Sequence, residues 1–410
     1  MNAVQPIDWL AISPPLAIAL AAIAVLVADA FPGRDAGRVE GRVAGLPWAS
    51  GLSFVGVLTA AVGTVVLAGD PRSVFCLPPG GDAATPGCSY SVDSLTVGGW
   101  VVVLVGTAGI LLLSARGAMD VRVAVAEHHF LLLASSAGAM TLVASRDLVT
   151  LVISLEVVSL PAFALAGLKR GDRRSAEAAL KFFLVSVVAT AFTLFGISLV
   201  YGASGWVHLD RIDAALAGGV AAEPVAVAGV VLTLVGLAFK VAAVPFHAWV
   251  PDVYVGSPVP VAAYLSVVSK AAGLVGLLLV LDRGFSAYAS VWQPLLAVAA
   301  AATMTLGNVL ALRQKHAVRL LAWSSVGQSG FMLAPLAVLG EVGDDAVRAS
   351  MSYLLIYAVV NLGAFSVVAA MARHRPVGRI SDYQGLIRRE PWAGVCLAFA
   401  LLCLAGLPPG

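Results

Sequence analysis

Apolar residues run along this chain in blocks of about twenty, each closed by a short cluster of charged residues, Gly or Pro. A helix needs about 20 predominantly apolar residues to cross a bilayer. On that measure the pattern predicts helices near 13–31, 46–68, 94–114, 129–145, 148–168, 179–201, 225–250, 258–281, 291–312, 319–339, 349–371 and 391–409. The hairpin joining the fourth and fifth is very tight, around Arg146 and Asp147.

Basic residues test that segmentation, because cytoplasmic loops carry an excess of Lys and Arg. With the N-terminus outside, the inner loops hold seventeen of them: Arg34, Arg38, Arg42, Arg116, Arg122, Lys169, Arg170, Arg173, Arg174, Arg313, Lys315, Arg319, Arg373, Arg375, Arg379, Arg388 and Arg389. The outer loops hold five: Arg72, Arg146, Arg211, Arg283 and Arg348. The other three of the 25 lie inside the helices, as Lys181, Lys240 and Lys270.

Composition agrees: 60% of the 410 residues are hydrophobic and 12% are charged, about half the charge of an ordinary soluble domain. The fold class is therefore an all-α polytopic membrane protein. The chain start lacks a basic leader and a small-residue cleavage site, so it reads as a retained first span. The four cysteines form no CxxC pair, and no phosphate-binding glycine loop follows a strand, which argues against zinc, iron–sulfur, haem and nucleotide sites. Cys76 and Cys88 fall in an outer loop, where they are either bridged or simply two unpaired thiols. Cys396 and Cys403 read as small packing residues.

Charges inside the spans carry the chemistry. Each costs roughly 2.5–3.5 kcal/mol at a helix centre, and such groups usually face a bundle interior or a water-filled path. The candidates are Glu156 in "LVISLEVVSLPAF", Lys181 in "EAALKFFLVS", Lys240 in "GLAFKVAAVPF" and Lys270 in "LSVVSKAAGLV". Against a proton relay stand blander readings. A Glu156 that stays protonated would only hydrogen-bond to a neighbouring helix, Lys181 is near enough to its helix end to snorkel, and each deeper lysine has a purely structural alternative. Burial lowers a lysine pKa and raises a carboxylate pKa, while an opposite charge pushes both back; a set held between those tendencies suits proton exchange.

Between Lys240 and Lys270 the helix is interrupted by Pro245, Pro251, Pro258 and Pro260. Pro245 removes a donor and frees the carbonyl of Val241, and Pro251 is expected to free that of His247. Irregular backbone at membrane depth is tolerated where it lines a cavity or is buried in protein, and transporters place ion sites at such breaks. His247, just beyond Lys240, is equally a proton carrier or a structural partner. Metal ligation has little support, because no second His or Cys has ligand spacing to it. A second interruption, Pro408 and Pro409, closes "PWAGVCLAFALLCLAGLPPG" and suggests two related five-helix units.

These stretches resemble a known family, the antiporter-like membrane subunits of respiratory complex I. The likeness begins at "PIDWLAISPPLAIALAAIAVLVADAF" and is densest in "AFKVAAVPFHAWVPDVYVGSPVPVAAYLSVVSK". "ALKFFL" with "GISLVYG", and "IYAVVNLGAF", favour the subunit N branch. The resemblance implies an antiporter-like fold of fourteen helices, of which about twelve are present, with two inverted five-helix repeats and discontinuous helices. It divides the chain into an N-terminal three-helix segment (1–125), a first repeat (126–282) with its break near 241–251, and a second repeat (283–410), incomplete at its C-terminus. It implies a proton channel driven by quinone reduction in other subunits. Glu156, Lys181, Lys240 and Lys270 match the family's relay positions. No cofactor is expected in this chain; FMN, iron–sulfur clusters and quinone belong to partner subunits. The expected partners are other membrane-arm subunits, the lipid bilayer and protons, with no nucleic acid, in a bacterial plasma membrane. Two positions depart from the family pattern: Gln328 stands where a histidine is frequent and Val318 where a lysine is. The family's lysine of the second break falls past Gly410, so a truncated chain is expected.

Two other functions remain open from residues alone, a subunit of a multi-subunit sodium/proton antiporter and a structural scaffold within the membrane arm. The topology is testable directly. A membrane-impermeant thiol reagent applied to intact cells should label a cysteine placed at Arg72 or Arg348 and spare one placed at Arg170 or Lys315. The reverse pattern would invert the orientation.

Overall fold

The computed structural model describes residues 7–30, 38–39, 42–43, 47–77, 87–115, 124–219, 222–372 and 378–407. The chain begins with α1 (Trp9–Ala30), a two-residue pairing of β1 (Arg38–Val39) with β2 (Arg42–Val43), and α2 (Pro47–Leu67). An antiparallel hairpin of β3 (Arg72–Cys76) and β4 (Cys88–Val92) leads into α3 (Ser94–Ala115). Then come α4 (Val125–Ala144), α5 (Leu148–Ala166), the long α6 (Arg173–Ser204), a short amphipathic α7 (Leu209–Ala217) and α8 (Glu223–Val241). After a break, α9 (Val250–Gly256) and α10 (Val259–Tyr264) precede a π-helical turn, Leu265–Ser269, that continues into α11 (Lys270–Leu279). The chain finishes with α12 (Ala289–Leu312), α13 (Ala317–Leu333), the one-turn α14 (Leu339–Val342), α15 (Asp344–Ala372), the one-turn α16 (Leu386–Arg389) and α17 (Pro391–Leu404).

Each of the twelve apolar blocks is therefore a helix, and nine among the described residues are long and apolar enough to cross a membrane by length and composition. Two blocks are shorter than their hydropathy suggests: 225–250 stops being helical at Val241 and 391–409 at Leu404. The antiparallel hairpin at 72–92 lies where the sequence showed only a loop, and Cys76 is bonded to Cys88 across it. The break at Pro408 and Pro409 lies outside the described residues.

The continuous rod Val259–Gly284 is the axis of the molecule. Its most apolar window is 100% buried, whereas α6 and α12 bury only 33% and 17% of theirs. Large apolar side chains such as Phe183, Phe195, Val298 and Trp392 are exposed on the outer helices, as expected where lipid or another membrane subunit replaces water. In lipid, helices associate through close packing of small residues. A Cβ added at Gly196 of α6 would lie 2.3 Å from the Thr233 backbone nitrogen of α8, and one at Gly307 of α12 would lie 2.3 Å from that of Gly327 in α13. Both crossings therefore require glycine.

The tight hairpin between α4 and α5 carries a buried ion pair. The Arg146 guanidinium donates to Asp93 Oδ2 at 2.8 Å and to Thr96 Oγ1 at 2.9 Å, and Arg146 is only 6% exposed. Placed in a loop by sequence, it is a structural clamp instead. Its neighbour Asp147 caps α5, accepting from the Thr150 backbone N–H at 2.7 Å, which satisfies a donor that the first helical turn leaves free. Burial raises the pKa of the Asp93 carboxyl, but Arg146 and the Thr96 hydrogen bonds outweigh it, so the net value is lowered from 3.8. The stability this contributes is complete above the unfolded value and is lost as pH falls through the lower, folded one.

Arg146→Ala strands that carboxylate half-buried, and breaking such a pair costs about 3 kcal/mol. A clear fall in the thermal midpoint of the detergent-solubilised protein is expected at pH 7. The gap between variant and parent should narrow as pH falls below 3.8; a gap unchanged with pH would show that the pair carries no such linkage.

Candidate functional site

The break between α8 and α9 sets the site. Helix α8 ends at Ala242, whose φ of 66° is left-handed and unusual for a residue with a Cβ. The backbone then turns through Ala243–Trp249 before helical geometry resumes. Proline at 245 prevents residue 245 from donating to Val241, and the freed carbonyl finds a different partner: Ser329 Oγ of α13 donates to Val241 O at 2.7 Å. The expected release of the His247 carbonyl does not occur, because the Val250 backbone N–H reaches it at 3.1 Å. The local turn simply closes around that proline.

Lys240 is the last polar residue of α8 and is 2% exposed. Its stem lies against Gly273, where an added Cβ would come within 2.8 Å of Lys240 Cγ, so the axial rod must be glycine at that height. Its ammonium donates to Ser159 Oγ of α5 at 2.9 Å and lies 5.9 Å from the centre of the Phe182 ring. Glu156 sits one turn earlier on α5, within electrostatic range of Lys240. It is partly buried and accepts from Thr190 Oγ1 of α6 at 2.7 Å. Glu156 and Ser159, the residue that holds Lys240, thus lie one turn apart on α5, and among the described residues Glu156 forms no direct ion pair with Lys240.

Lys270 begins α11, just after the π turn, and is 1% exposed. It donates to the Ser325 carbonyl, to Ser325 Oγ at 2.6 Å and to Ser329 Oγ at 2.7 Å. Three oxygens satisfy all three ammonium protons. Because Ser329 also touches the Val241 carbonyl, Lys270 is joined to the residue after Lys240 by a single hydroxyl. From Ser325 the polar chain continues to Tyr357 Oη at 2.8 Å, then to Asn361 Nδ2 at 3.1 Å and Ser266 Oγ at 2.7 Å.

Lys181 stands apart from these groups. Its side chain is 46% exposed and is ion-paired with Glu177 at 2.7 Å and Asp252 at 3.0 Å. Asp252, on α9, also takes Arg319 of α13 at 3.3 Å. Together with Arg174 and Val255 these residues line a small cavity of about 140 Å³. Asp252 thereby ties α6 to α13 across the break, a role that sequence missed because a carboxylate beside a proline in a polar loop looks solvated. His247 is half-buried, with its ring 5.6 Å from that of Trp323. Among the described residues no hydrogen bond joins it to Lys240, whose ammonium is on Ser159. Gln328, one of the two departures, donates to the Leu404 carbonyl of α17 at 2.7 Å and accepts from Tyr353 Oη. Val318 is buried and apolar.

Residues 145–410 match the family described as the NADH:quinone oxidoreductase/Mrp antiporter transmembrane family. The chain belongs to that family. It is 52% identical to NADH-quinone oxidoreductase subunit N 2 of Streptomyces griseus over all of this chain and 75% of the relative. It is 43% identical to NADH-quinone oxidoreductase subunit N of Salinispora tropica, over all of this chain and 78% of that protein. Among solved structures it is similar to a chain of respiratory complex I from Thermus thermophilus, with a TM-score of 0.73 and 29% identity, covering 97% of this chain and 79% of that one. The antiporter-like fold that the resemblance implies is thus the fold of the family.

Exposed ion pairs contribute about 1 kcal/mol or less. Asp252→Asn is therefore expected to leave the thermal midpoint within about 2 °C of the parent for a chain of this size. A large fall would mean that the Lys181–Asp252–Arg319 bridge is a structural clamp.

Proposed function

We propose that this chain is a subunit N-type membrane subunit of a proton-pumping NADH:quinone oxidoreductase, passing protons along Glu156, Lys240 and Lys270. The observation that carries the relay is the shared hydroxyl of Ser329, which links the Lys270 ammonium to the backbone freed by the break next to Lys240. The hydroxyl and the Val241 carbonyl tie the Lys270 ammonium to the backbone beside Lys240, whose own ammonium sits on Ser159 of α5. In this reading a proton passes between the two lysines along this polar path, with neutral oxygens at each end.

Glu156 enters from the α5–α6 face, where Thr190 holds one oxygen. It sits one turn from Ser159, the hydroxyl that holds the Lys240 ammonium, so in this reading a proton that reaches Glu156 is handed on through Lys240 toward Lys270. Beyond Lys270, the Ser325–Tyr357 and Gln328–Tyr353 pairs lead toward the Leu404 carbonyl of α17. Gln328 orients a hydrogen-bonded chain but does not ionise, so a proton crosses it only by passing along neighbouring water or hydroxyl groups. Lys181, Asp252 and Arg319 form a charged mouth at the inner end of the break in this reading, and His247 lies between that mouth and Lys240 along the chain. FMN, iron–sulfur clusters and quinone are held by partner subunits of the membrane and peripheral arms, and the N-terminus faces outward.

The test is NADH-driven proton uptake by inverted vesicles carrying the assembled complex with Lys240→Met. A positioned proton-transfer group contributes about 100-fold or more, so uptake through this subunit should be lost, and NADH oxidation coupled to it should fall, while the complex still assembles. Parent-level pumping by an assembled variant would make Lys240 a structural charge. A complex that forms only with Lys240 present would favour the scaffold function.

A further inference from the structure

The relay does not involve the hairpin of β3 and β4, yet that hairpin does more than connect α2 to α3. Its strands pair Arg72 with Val92, Ser73 with Ser91, Val74 with Tyr90 and Cys76 with Cys88. One edge of β4 lies on the α4–α5 turn. There the Arg146 backbone N–H donates to the Ser89 carbonyl at 2.8 Å, and Tyr90 bridges to Ser145. On its other side the turn is bonded to the α6–α7 link, from the Leu148 N–H to the Val207 carbonyl and from the Leu209 N–H to the Arg146 carbonyl, each at 2.9 Å. Residues 145–148 are thus held between β4 and 207–209, and α5 starts from them. The hairpin is also tied to the start of α1: Tyr90 Oη donates to the Ala11 carbonyl at 3.3 Å, and Arg72 pairs with Asp8 at 2.8 Å.

Two features of the hairpin oppose each other. Phe75 has a φ of 56°, left-handed geometry that is unfavourable for a residue with a Cβ. Its side chain helps to wall an apolar cavity of about 450 Å³ between α1, α4 and α5, with Leu16, Thr141, Ile153 and Val157. Cys76, the next residue, is bonded to Cys88, which directly precedes the Ser89 that meets Arg146. One covalent bond therefore holds both the strained residue and the strand that lies on the turn. A two-stranded hairpin alone is marginal in water, and a disulfide acts by removing freedom from the opened chain. Both cysteines are half-buried. With the N-terminus outward, they face the compartment in which disulfides persist.

We propose that Cys76–Cys88 is a redox-sensitive latch on the outer face of this chain. Closed, it keeps β4 on the α4–α5 turn and Phe75 at the cavity. A dithiol in the outer compartment opens it. One donor thiolate attacks a sulfur of the bond and displaces the other, and the donor's second thiol then closes the donor's own disulfide. Two electrons and two protons pass to the cysteines, which leave as thiols. Phe75 then relaxes to ordinary backbone geometry, β4 loosens from Arg146, and the first turn of α5 loses its stop. The latch does not depend on the relay.

Amide hydrogen exchange of the assembled complex, read by mass spectrometry in peptides covering 88–92 and 145–148 of this chain, tests the latch. Treatment with a membrane-impermeant phosphine should raise exchange there about tenfold or more and leave α8 and α11 unchanged. Alkylation and mass measurement verify that both thiols are free. Unchanged exchange in a parent so reduced overturns the latch. The double variant Cys76→Ser with Cys88→Ser should exchange fast from the outset and ignore the phosphine, and a response equal to the parent's also overturns it. Phe75→Gly tolerates left-handed geometry, so reduction should raise its exchange less than the parent's; an equal rise overturns the part given to Phe75. If the double variant does not assemble, the parent and Phe75→Gly decide by the same readings.

Discussion

Two ammonium groups inside a bilayer are the constraint around which this structure is arranged. Among the described residues neither Lys240 nor Lys270 meets a carboxylate in direct contact; each is held by neutral oxygens, Ser159 for one and Ser325 with Ser329 for the other. A carboxylate partner would bind each ammonium strongly, whereas hydroxyls and a carbonyl stabilise the cation more modestly. The broken helix is what makes this possible, because an intact α8 would have used the Val241 carbonyl internally. Freed, it anchors Ser329, and Ser329 in turn anchors Lys270.

The rest of the fold serves to hold that break at a fixed height. Gly273 lets the Lys240 stem lie directly on the axial rod. Glycines at 196 and 307 bring α6 onto α8 and α12 onto α13, so that the two sides of the break cannot drift apart. At the opposite end of α5 from the Lys181–Asp252–Arg319 cluster, Arg146 and Asp93 fasten the α4–α5 hairpin to the start of α3, which sets the height of Glu156 and Ser159 on α5. Asp252 does the corresponding work at the mouth, but with exposed partners that can exchange.

Much of this was legible in the chain. A charge in an apolar run of twenty stands out because its insertion cost demands a reason, and that is why Glu156, Lys240 and Lys270 were found by inspection. Lys181 was found by the same signal and proved different: its neighbours Glu177 and Asp252 supply ordinary ion pairs at a half-exposed position. Hydroxyls give no such signal. Ser159, Ser325, Ser329 and Tyr357 are unremarkable in a helix, where serine and threonine can satisfy themselves on the preceding turn, so their place around the lysines was invisible. Asp252 and Arg146 were hidden for the converse reason, since charges in loops are expected to be solvated.

By itself the sequence determined which apolar blocks become the long helices, their membrane orientation as an expectation, the position of the break and the family. These follow from local quantities: hydropathy over about twenty residues, the placement of basic residues in loops, and the missing N–H of proline. Tertiary structure alone decided which oxygen receives each ammonium proton and that Val241 rather than His247 offers its carbonyl. Those contacts join residues from 55 to 88 positions apart. They depend on how helices rotate against one another, which the apolar surface in a bilayer leaves nearly undetermined and which close packing at a few glycines settles.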